Sequence, residues 1–137
     1  MTPFEYFVGV DIASETFMAC VGTAPWKLVA KPMKFENHVE GCASFLGWLK
    51  EHGFEFENTV VCMEATGVYS EELAYFLSAS DYAVAVESPL NIQRKFPMNT
   101  SKTDWLDCQY IAEYACRYVD KLAFWQPKDE ILEQVQL

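Results

Sequence analysis

Four carboxylates in this sequence stand where negative charge does little for folding. Asp11 and Glu64 each come directly after a strand-like apolar run. Asp104 and Asp107 lie three residues apart, where a helix is predicted to begin. An unpaired charge in a protein interior is costly, so acids at such positions need a partner. Hard divalent cations prefer carboxylate oxygens, and two such ions can stabilise the attacking and the leaving oxygens of a phosphoryl displacement.

The two helix-start acids are predicted to lie on the face of the helix that contacts the sheet. At about 100° per residue, Asp104 and Asp107 are about 60° apart. The apolar stripe of Ile111 and Ala115 continues along the same face. Acidic residues in a first turn also complement the helix dipole, but that ordinary role does not explain the acids at the strand ends. We therefore interpret the four acids together as a candidate site for two Mg²⁺ or Mn²⁺ ions.

Length and composition predict one folded domain. The chain has 137 residues, of which 51% are hydrophobic, and this is ample for a core. No apolar run approaches the ~20 residues of a membrane helix, and the N-terminus lacks the basic start and the apolar stretch of a signal peptide. We therefore expect a cytoplasmic protein without a membrane partner. The five cysteines show no Cys-x-x-Cys spacing, so we interpret them as reduced core residues.

The net charge of −10 argues against a simple basic DNA-binding module. Contact with a phosphate backbone must therefore be local, be mediated by bound metal, or come from another part of a larger protein. Arg94, Lys95 and Lys102 form the nearest approach to a basic patch and are candidate phosphate contacts. Lys102 is the best candidate, because it lies two residues before Asp104. The alternative is that these residues belong to a solvated loop.

Hydrophobic periodicity predicts the elements that would position the acids. Three apolar runs joined by short turns should form antiparallel strands over about residues 5–11, 16–22 and 27–35. Asn37 is predicted to cap a first helix, with Glu40 completing a start that resembles a capping box.

The second half of the chain alternates strands and helices. The predicted elements are strands over 59–63 and 82–86, a helix over 68–79, a loop or short helix over 88–102, and a helix over about 103–119. Tyr69 is predicted to point inward from the middle helix. This order predicts an α/β fold, a mixed five-stranded sheet of three antiparallel strands followed by alternating α and β elements, with helices on both faces. Sites in such sheets gather at the strand ends where helices begin, so the acids can converge there.

Three motifs resemble, in their order along the chain, those of the DEDD transposases, the insertion-sequence recombinases of the IS110 group, which are similar to pilin-gene invertases. They are GVDIAS at residues 9–14, MEATGVY at 63–69 and KTDWLD at 102–107. The resemblance covers essentially the whole chain. It implies an RNase H-like (RuvC-like) catalytic domain over residues 1–125, with 126–137 as the start of a helical connector to a C-terminal domain.

The resemblance also implies a chemistry and a set of partners. The metal ligands of the family fall on Asp11, Glu64, Asp104 and Asp107, which would hold a pair of Mg²⁺ or Mn²⁺ ions for DNA strand cleavage and transfer. The implied partners are DNA, a structured guide RNA in some members, and further copies of the full-length protein in a homo-oligomer. The C-terminal domain of the family supplies a nucleophilic serine, so we expect strand exchange to need more than this chain.

Three other functions remain open. A junction-resolving nuclease could use the same fold and acids, and structure-specific DNA cleavage would identify it. A non-catalytic nucleic-acid-binding or assembly module would retain an idle acid cluster. A nucleotide-binding domain similar to sugar kinases or actin is disfavoured, because such proteins need glycine-rich phosphate loops and the six glycines here include no Gly-x-Gly.

Overall fold

The structure, a computed structural model, describes residues 3–96 and 104–128, and the side chains of Asp104 and Trp105 lie outside this description. Within these ranges, five strands form one sheet. They are β1 (Tyr6–Ile12), β2 (Thr16–Thr23), β3 (Lys27–Glu36), β4 (Thr59–Glu64) and β5 (Ala83–Glu87), in the spatial order β3-β2-β1-β4-β5. The first three strands are antiparallel because tight turns join them, whereas β1, β4 and β5 are parallel because helices cross between them. The predicted mixed sheet is confirmed.

Helices cover both faces of the sheet, as predicted. They are α1 (Val39–Glu51), α2 (Val68–Ala79), α3 (Pro89–Gln93) and α4 (Asp104–Arg117), and a 3₁₀ turn follows at Val119–Lys121. On one face, Val8 of β1 shares a core with Phe45 of α1 and Leu73 of α2. On the other face, Phe7 of β1 shares a core with Ile111 of α4. The central strands are therefore buried on both sides, which explains their continuous apolar runs.

The start of α1 differs from the prediction. His38, rather than Asn37, is the N-cap, because its Nδ1 accepts a hydrogen bond from the backbone N–H of Gly41 at 3.3 Å. Asn37 is held instead by the β1–β2 turn. Its backbone N–H donates to the carbonyl oxygen of Glu15 at 2.8 Å, and its side chain donates to that of Ala13 at 3.5 Å. The local sequence does not reveal this competing partner, since Ala13 lies 24 residues away.

Helix α2 has the predicted bounds but a different inward face. Tyr69 is 42% exposed, so its predicted inward position is wrong. Ser70 is buried in its place, and its hydroxyl donates to the carbonyl oxygen of Gly67 and accepts from the backbone N–H of Thr66, each at 3.0 Å. A polar side chain thus satisfies backbone groups at the start of the helix, which a purely apolar pattern overlooks.

All five cysteines are buried and none forms a disulfide, which confirms their interpretation as reduced core residues. In the part of the chain that the structure describes, no helix is long and apolar enough to cross a bilayer. The stretch predicted as a loop or short helix contains α3. Its remainder from residue 97 onward, and residues 129–137 of the predicted connector, lie outside the described residues.

Candidate functional site

Asp11 and Glu64 come from neighbouring parallel strands. The ladder pairs between β1 and β4 end at Val10 and Met63, so the next residue on each strand is one of the two acids. Side chains alternate along a strand, and both acids therefore share the face of the sheet on which Gly9 contacts α4. Each acid thus follows the last paired residue of its strand, on one face of the sheet, where neighbouring strands are about 4.8 Å apart.

Helix α4 lies directly on the backbone of β1. A Cβ atom at Gly9 would sit 2.1 Å from the carbonyl oxygen of Cys108 and 2.4 Å from the backbone nitrogen of Ala112, so only glycine permits this approach. The helix also reaches β2, where the side-chain hydrogen bond with Cys108, followed by burial, raises the pKa of the Cys20 thiol. These contacts hold Asp107, which directly precedes Cys108, close to the strand ends.

Glu64 and Asp107 are close enough to repel each other. Burial, and then the negative charge of Asp107, raise the pKa of the Glu64 carboxyl. Oε2 of Glu64 is buried and has no hydrogen-bond partner among the described residues, and the same holds for Oγ1 of Thr66 just beyond it. Buried polar atoms nearly always have a partner, so atoms without one point to an ion, a water molecule or a ligand. Glu64 and Thr66 thus leave two buried polar atoms unsatisfied at this corner of the fold.

Asp11, Glu64 and Asp107, the three predicted ligands whose side chains are described, do not form a preformed metal cluster. Among residues 3–96 and 104–128, no three acidic, cysteine or histidine side chains are close enough together to hold a metal ion. The side chain of Asp104 lies outside the description. The structure brings Glu64 and Asp107 together and places Asp11 on the adjacent strand end. The role of all four acids as metal ligands stays a prediction.

The predicted basic patch is only partly described. Nζ of Lys95 lies 5.2 Å from the centre of the Tyr118 ring. Tyr118 follows Asp107 by eleven residues, about 16 Å along a helix, so Lys95 reaches toward the far end of α4 rather than toward the acids. Arg94 is exposed, and Lys102 lies outside the described residues. Phosphate contact by these three residues stays a prediction.

A further acid at the strand ends, Glu87, was not predicted. Glu87 is the ladder partner of Glu64 at the end of β5, and it is only 2% exposed. Its Oε1 accepts a hydrogen bond from the hydroxyl of Tyr114 at 3.2 Å, and its Oε2 accepts one from the backbone N–H of Ala123. A signal for it exists in the sequence, because the apolar run at residues 83–86 ends in an acid just as the run before Glu64 does.

Two pilin gene-inverting proteins are similar to this chain. The protein from Moraxella bovis is 29% identical over 128 residues, and the protein from Moraxella lacunata is 30% identical over 128 residues. Each match covers 90% of this chain and 38% of the relative. The chain therefore spans well under half of the length of these curated relatives.

The fold is similar to that of RuvC. A structure of T. thermophilus RuvC in complex with a Holliday junction substrate matches with a TM-score of 0.62 at 10% identity, covering 88% of this chain and 99% of that chain. A second Thermus thermophilus RuvC structure matches with a TM-score of 0.60 at 13% identity and the same coverage. At such low identity the likeness concerns the fold alone, and it confirms the predicted RuvC-like, RNase H-like architecture.

The family of the chain follows from a match over nearly its whole length. A family model described as a transposase, for the DEDD transposases of the IS110 type, matches residues 8–137. The matched region contains all three motifs, at residues 9–14, 63–69 and 102–107. This chain belongs to the IS110 family of DEDD transposases.

Proposed function

We propose that this chain is the N-terminal catalytic domain of a DNA transposase or site-specific recombinase, in which four carboxylates hold divalent metal for DNA strand cleavage and transfer. The proposed ligands are Asp11, Glu64, Asp104 and Asp107. The observation that carries the proposal is the buried Oε2 of Glu64, which has no hydrogen-bond partner among the described residues although the negative charge of Asp107 lies nearby. Membership of a transposase family supports the reaction class.

The residues at the strand ends fit Mg²⁺ or Mn²⁺. Both ions prefer oxygen ligands, and the proposed ligands offer carboxylate oxygens only. Oε2 of Glu64, which has no hydrogen-bond partner among the described residues, is available to a cation. A bound pair of ions would supply positive charge for the attacking and leaving oxygens of a phosphoryl displacement.

The described side chains have two tasks in this reaction. Glu64 and Asp107 retain cations where a DNA phosphate would otherwise be repelled by a protein of net charge −10. The hydroxyl of Thr66, buried and without a hydrogen-bond partner in the described ranges, can hydrogen-bond an enclosed water molecule beside Glu64. Because α4 is packed tightly on β1, the separation of Glu64 and Asp107 is set before substrate binds, which limits reorganisation of this pair during the reaction.

DNA is the proposed substrate, and the names of the pilin gene-inverting relatives support it. A guide RNA, a homo-oligomer and a cytoplasmic location belong to the proposal through the family resemblance alone. Since the chain matches only 38% of each relative, we propose strand transfer for the full-length protein.

Asp11→Asn should weaken the binding of Mn²⁺ to the full-length protein. The substitution replaces one proposed ligand. Loss of a residue that only orients a metal ligand weakens affinity by at least about tenfold, so we expect the Kd for Mn²⁺ to rise by at least that much. Isothermal titration calorimetry measures this change. In wild type, bound Mn²⁺ should also raise the melting temperature by linkage.

Asp120→Asn is the matched control, because Asp120 is exposed and lies in the 3₁₀ turn beyond α4. It should bind Mn²⁺ as wild type does. If wild type binds no Mn²⁺, or if Asp11→Asn binds it equally well, the proposed acids do not hold the metal. The chain would then be better described as a binding or assembly module.

A junction-resolving nuclease is the second candidate, and the RuvC-like fold favours it. Both candidates use the same acids, so substitutions do not separate them. The products do. With Mn²⁺ and four-way DNA junctions, a resolvase would release linear duplexes, whereas a recombinase would join strands from two different DNA molecules.

A further inference from the structure

We propose that Glu87 is a positioning residue for the acid pair, and that its buried carboxylate fixes α4 to the strand ends and so sets the distance between Glu64 and Asp107. This inference rests on the proposed function. It extends that function to a residue that contacts neither metal nor DNA.

Glu87 is buried with both carboxylate oxygens in use. A charge in the interior is costly unless it is hydrogen-bonded, and here the donors come from two separate segments, Tyr114 in α4 and Ala123 beyond it. Both oxygens thus accept hydrogen bonds from protein donors and only 2% of the residue is exposed, which suits an anchor between segments better than a metal ligand.

Through its backbone, Glu87 holds the strand end that carries Glu64. The two residues are partners in the β4–β5 ladder. The carbonyl oxygen of Glu87 also accepts a hydrogen bond from the backbone N–H of Ala65 at 2.8 Å. The backbone at Glu64 and at the residue after it is thus tied to Glu87.

Through its side chain, Glu87 holds the face of α4 that carries Asp107. Tyr114 follows Asp107 by seven residues, which is within about 20° of two full turns and about 10 Å along the axis. Rotating or sliding α4 would therefore move Asp107 and break the bond between Tyr114 and Glu87 together. Burial, and then the carboxylate of Glu87, raise the pKa of Tyr114 to about 12, so the hydroxyl remains a donor at neutral pH.

The segment that follows α4 is tied to the same strand. The backbone N–H of Val86 donates to the carbonyl oxygen of Ala123 at 3.1 Å, and that of Trp125 donates to the carbonyl oxygen of Val84 at 2.8 Å. This segment therefore runs antiparallel along β5. The Glu87 side chain adds a further bond to Ala123. Glu87 thus holds α4 near its C-terminal end, at Tyr114, and β5 holds the chain again after the helix.

Tyr114→Phe tests the proposal, because it removes one hydroxyl and leaves the ring. The matched control is Tyr82→Phe. Tyr82 is also buried and donates to the carbonyl oxygen of Phe54 at 2.7 Å, but it lies just before β5, at the end opposite Glu87. Both variants lose one buried tyrosine hydrogen bond, so both melting temperatures should fall, that of Tyr114→Phe further because its acceptor is a carboxylate.

Only Tyr114→Phe should change metal binding by the full-length protein. We expect its Kd for Mn²⁺, measured by calorimetry, to rise on the order of tenfold, as for residues that orient metal ligands. Tyr82→Phe should bind Mn²⁺ as wild type does. Equal affinity in wild type and Tyr114→Phe would overturn the proposal.

Hydrogen exchange of the metal-free protein provides a readout that does not depend on Mn²⁺. Tyr114→Phe should speed amide exchange in the first turns of α4 on the order of tenfold, and Tyr82→Phe should not. Equal exchange in the two variants would overturn the proposal. If wild type binds no Mn²⁺, the proposed function fails, while faster exchange in Tyr114→Phe alone would still show that Glu87 anchors α4.

Discussion

Glu64→Gln should remove DNA strand cleavage by the full-length protein and raise the melting temperature of the metal-free protein. The amide takes away one proposed ligand. Residues that only orient a metal ligand contribute up to about 100-fold to affinity or activity, so we expect the cleavage rate to fall by at least about 100-fold. It also takes away a charge that is partly buried and repelled by Asp107, the two causes that raise the pKa of this carboxyl. A cleavage assay on labelled DNA and thermal unfolding without metal measure the two effects.

The gain in stability should depend on pH. A carboxyl whose pKa is raised in the folded state contributes stability when protonated and loses it on ionisation, so metal-free wild type weakens as the pH rises through the pKa of Glu64. The difference between Glu64→Gln and wild type should therefore be largest at neutral pH and disappear below about pH 4, the ordinary range of glutamate.

Glu57→Gln is the control for this experiment, because Glu57 is exposed in the loop before β4. It should alter neither cleavage nor melting. Retained cleavage in Glu64→Gln would exclude Glu64 as an essential ligand. A marked fall in its melting temperature would instead identify Glu64 as an acid that stabilises the fold.

Gly9→Ala should destabilise the protein and weaken Mn²⁺ binding at the same time. The added methyl group would meet the carbonyl oxygen of Cys108 at 2.1 Å and the backbone nitrogen of Ala112 at 2.4 Å, and helix backbone atoms cannot rotate away. α4 must therefore lift from β1, at a cost of about 1–3 kcal/mol or more in the free energy of unfolding. Asp107 would move with the helix, so the proposed metal site would open.

Gly47→Ala is the matched control for this substitution. Gly47 lies in α1, and a Cβ atom there meets nothing within 4 Å. Alanine favours a helix over glycine by about 1 kcal/mol, so this variant should be slightly more stable than wild type. Urea unfolding of both variants and wild type gives the comparison. Equal midpoints for Gly9→Ala and wild type would contradict the close packing of α4 on β1.

The positions of most elements follow from local apolar patterns. α2 has the bounds predicted for it, and β4 begins at Thr59 as predicted, because burial on both faces produces a continuous apolar run. The end of β5 is less predictable, since the strand extends to Glu87. The burial of Glu87 depends on hydrogen-bond partners that are distant in the sequence. These partners, Tyr114 and Ala123, lie 27 and 36 residues from Glu87.

The candidate site is predictable in its residue types more than in its geometry. Asp11 and Glu64 are recognisable as acids that end apolar runs, and Asp107 as an acid on the apolar side of a helix. The distance between Glu64 and Asp107 depends on how closely α4 approaches the sheet. Gly9 sets that distance, and in the sequence it resembles any other glycine in a strand.

The acids of this site are separated by most of the chain. Asp11 belongs to β1, Glu64 to β4 and Asp107 to α4. A polypeptide emerging from the ribosome can form the antiparallel hairpins early, because those contacts are local. It cannot juxtapose Glu64 with Asp107 until α4 has emerged and settled on Gly9. Incomplete translation products, and copies truncated before that helix, would therefore lack any DNA cleavage activity that depends on these residues.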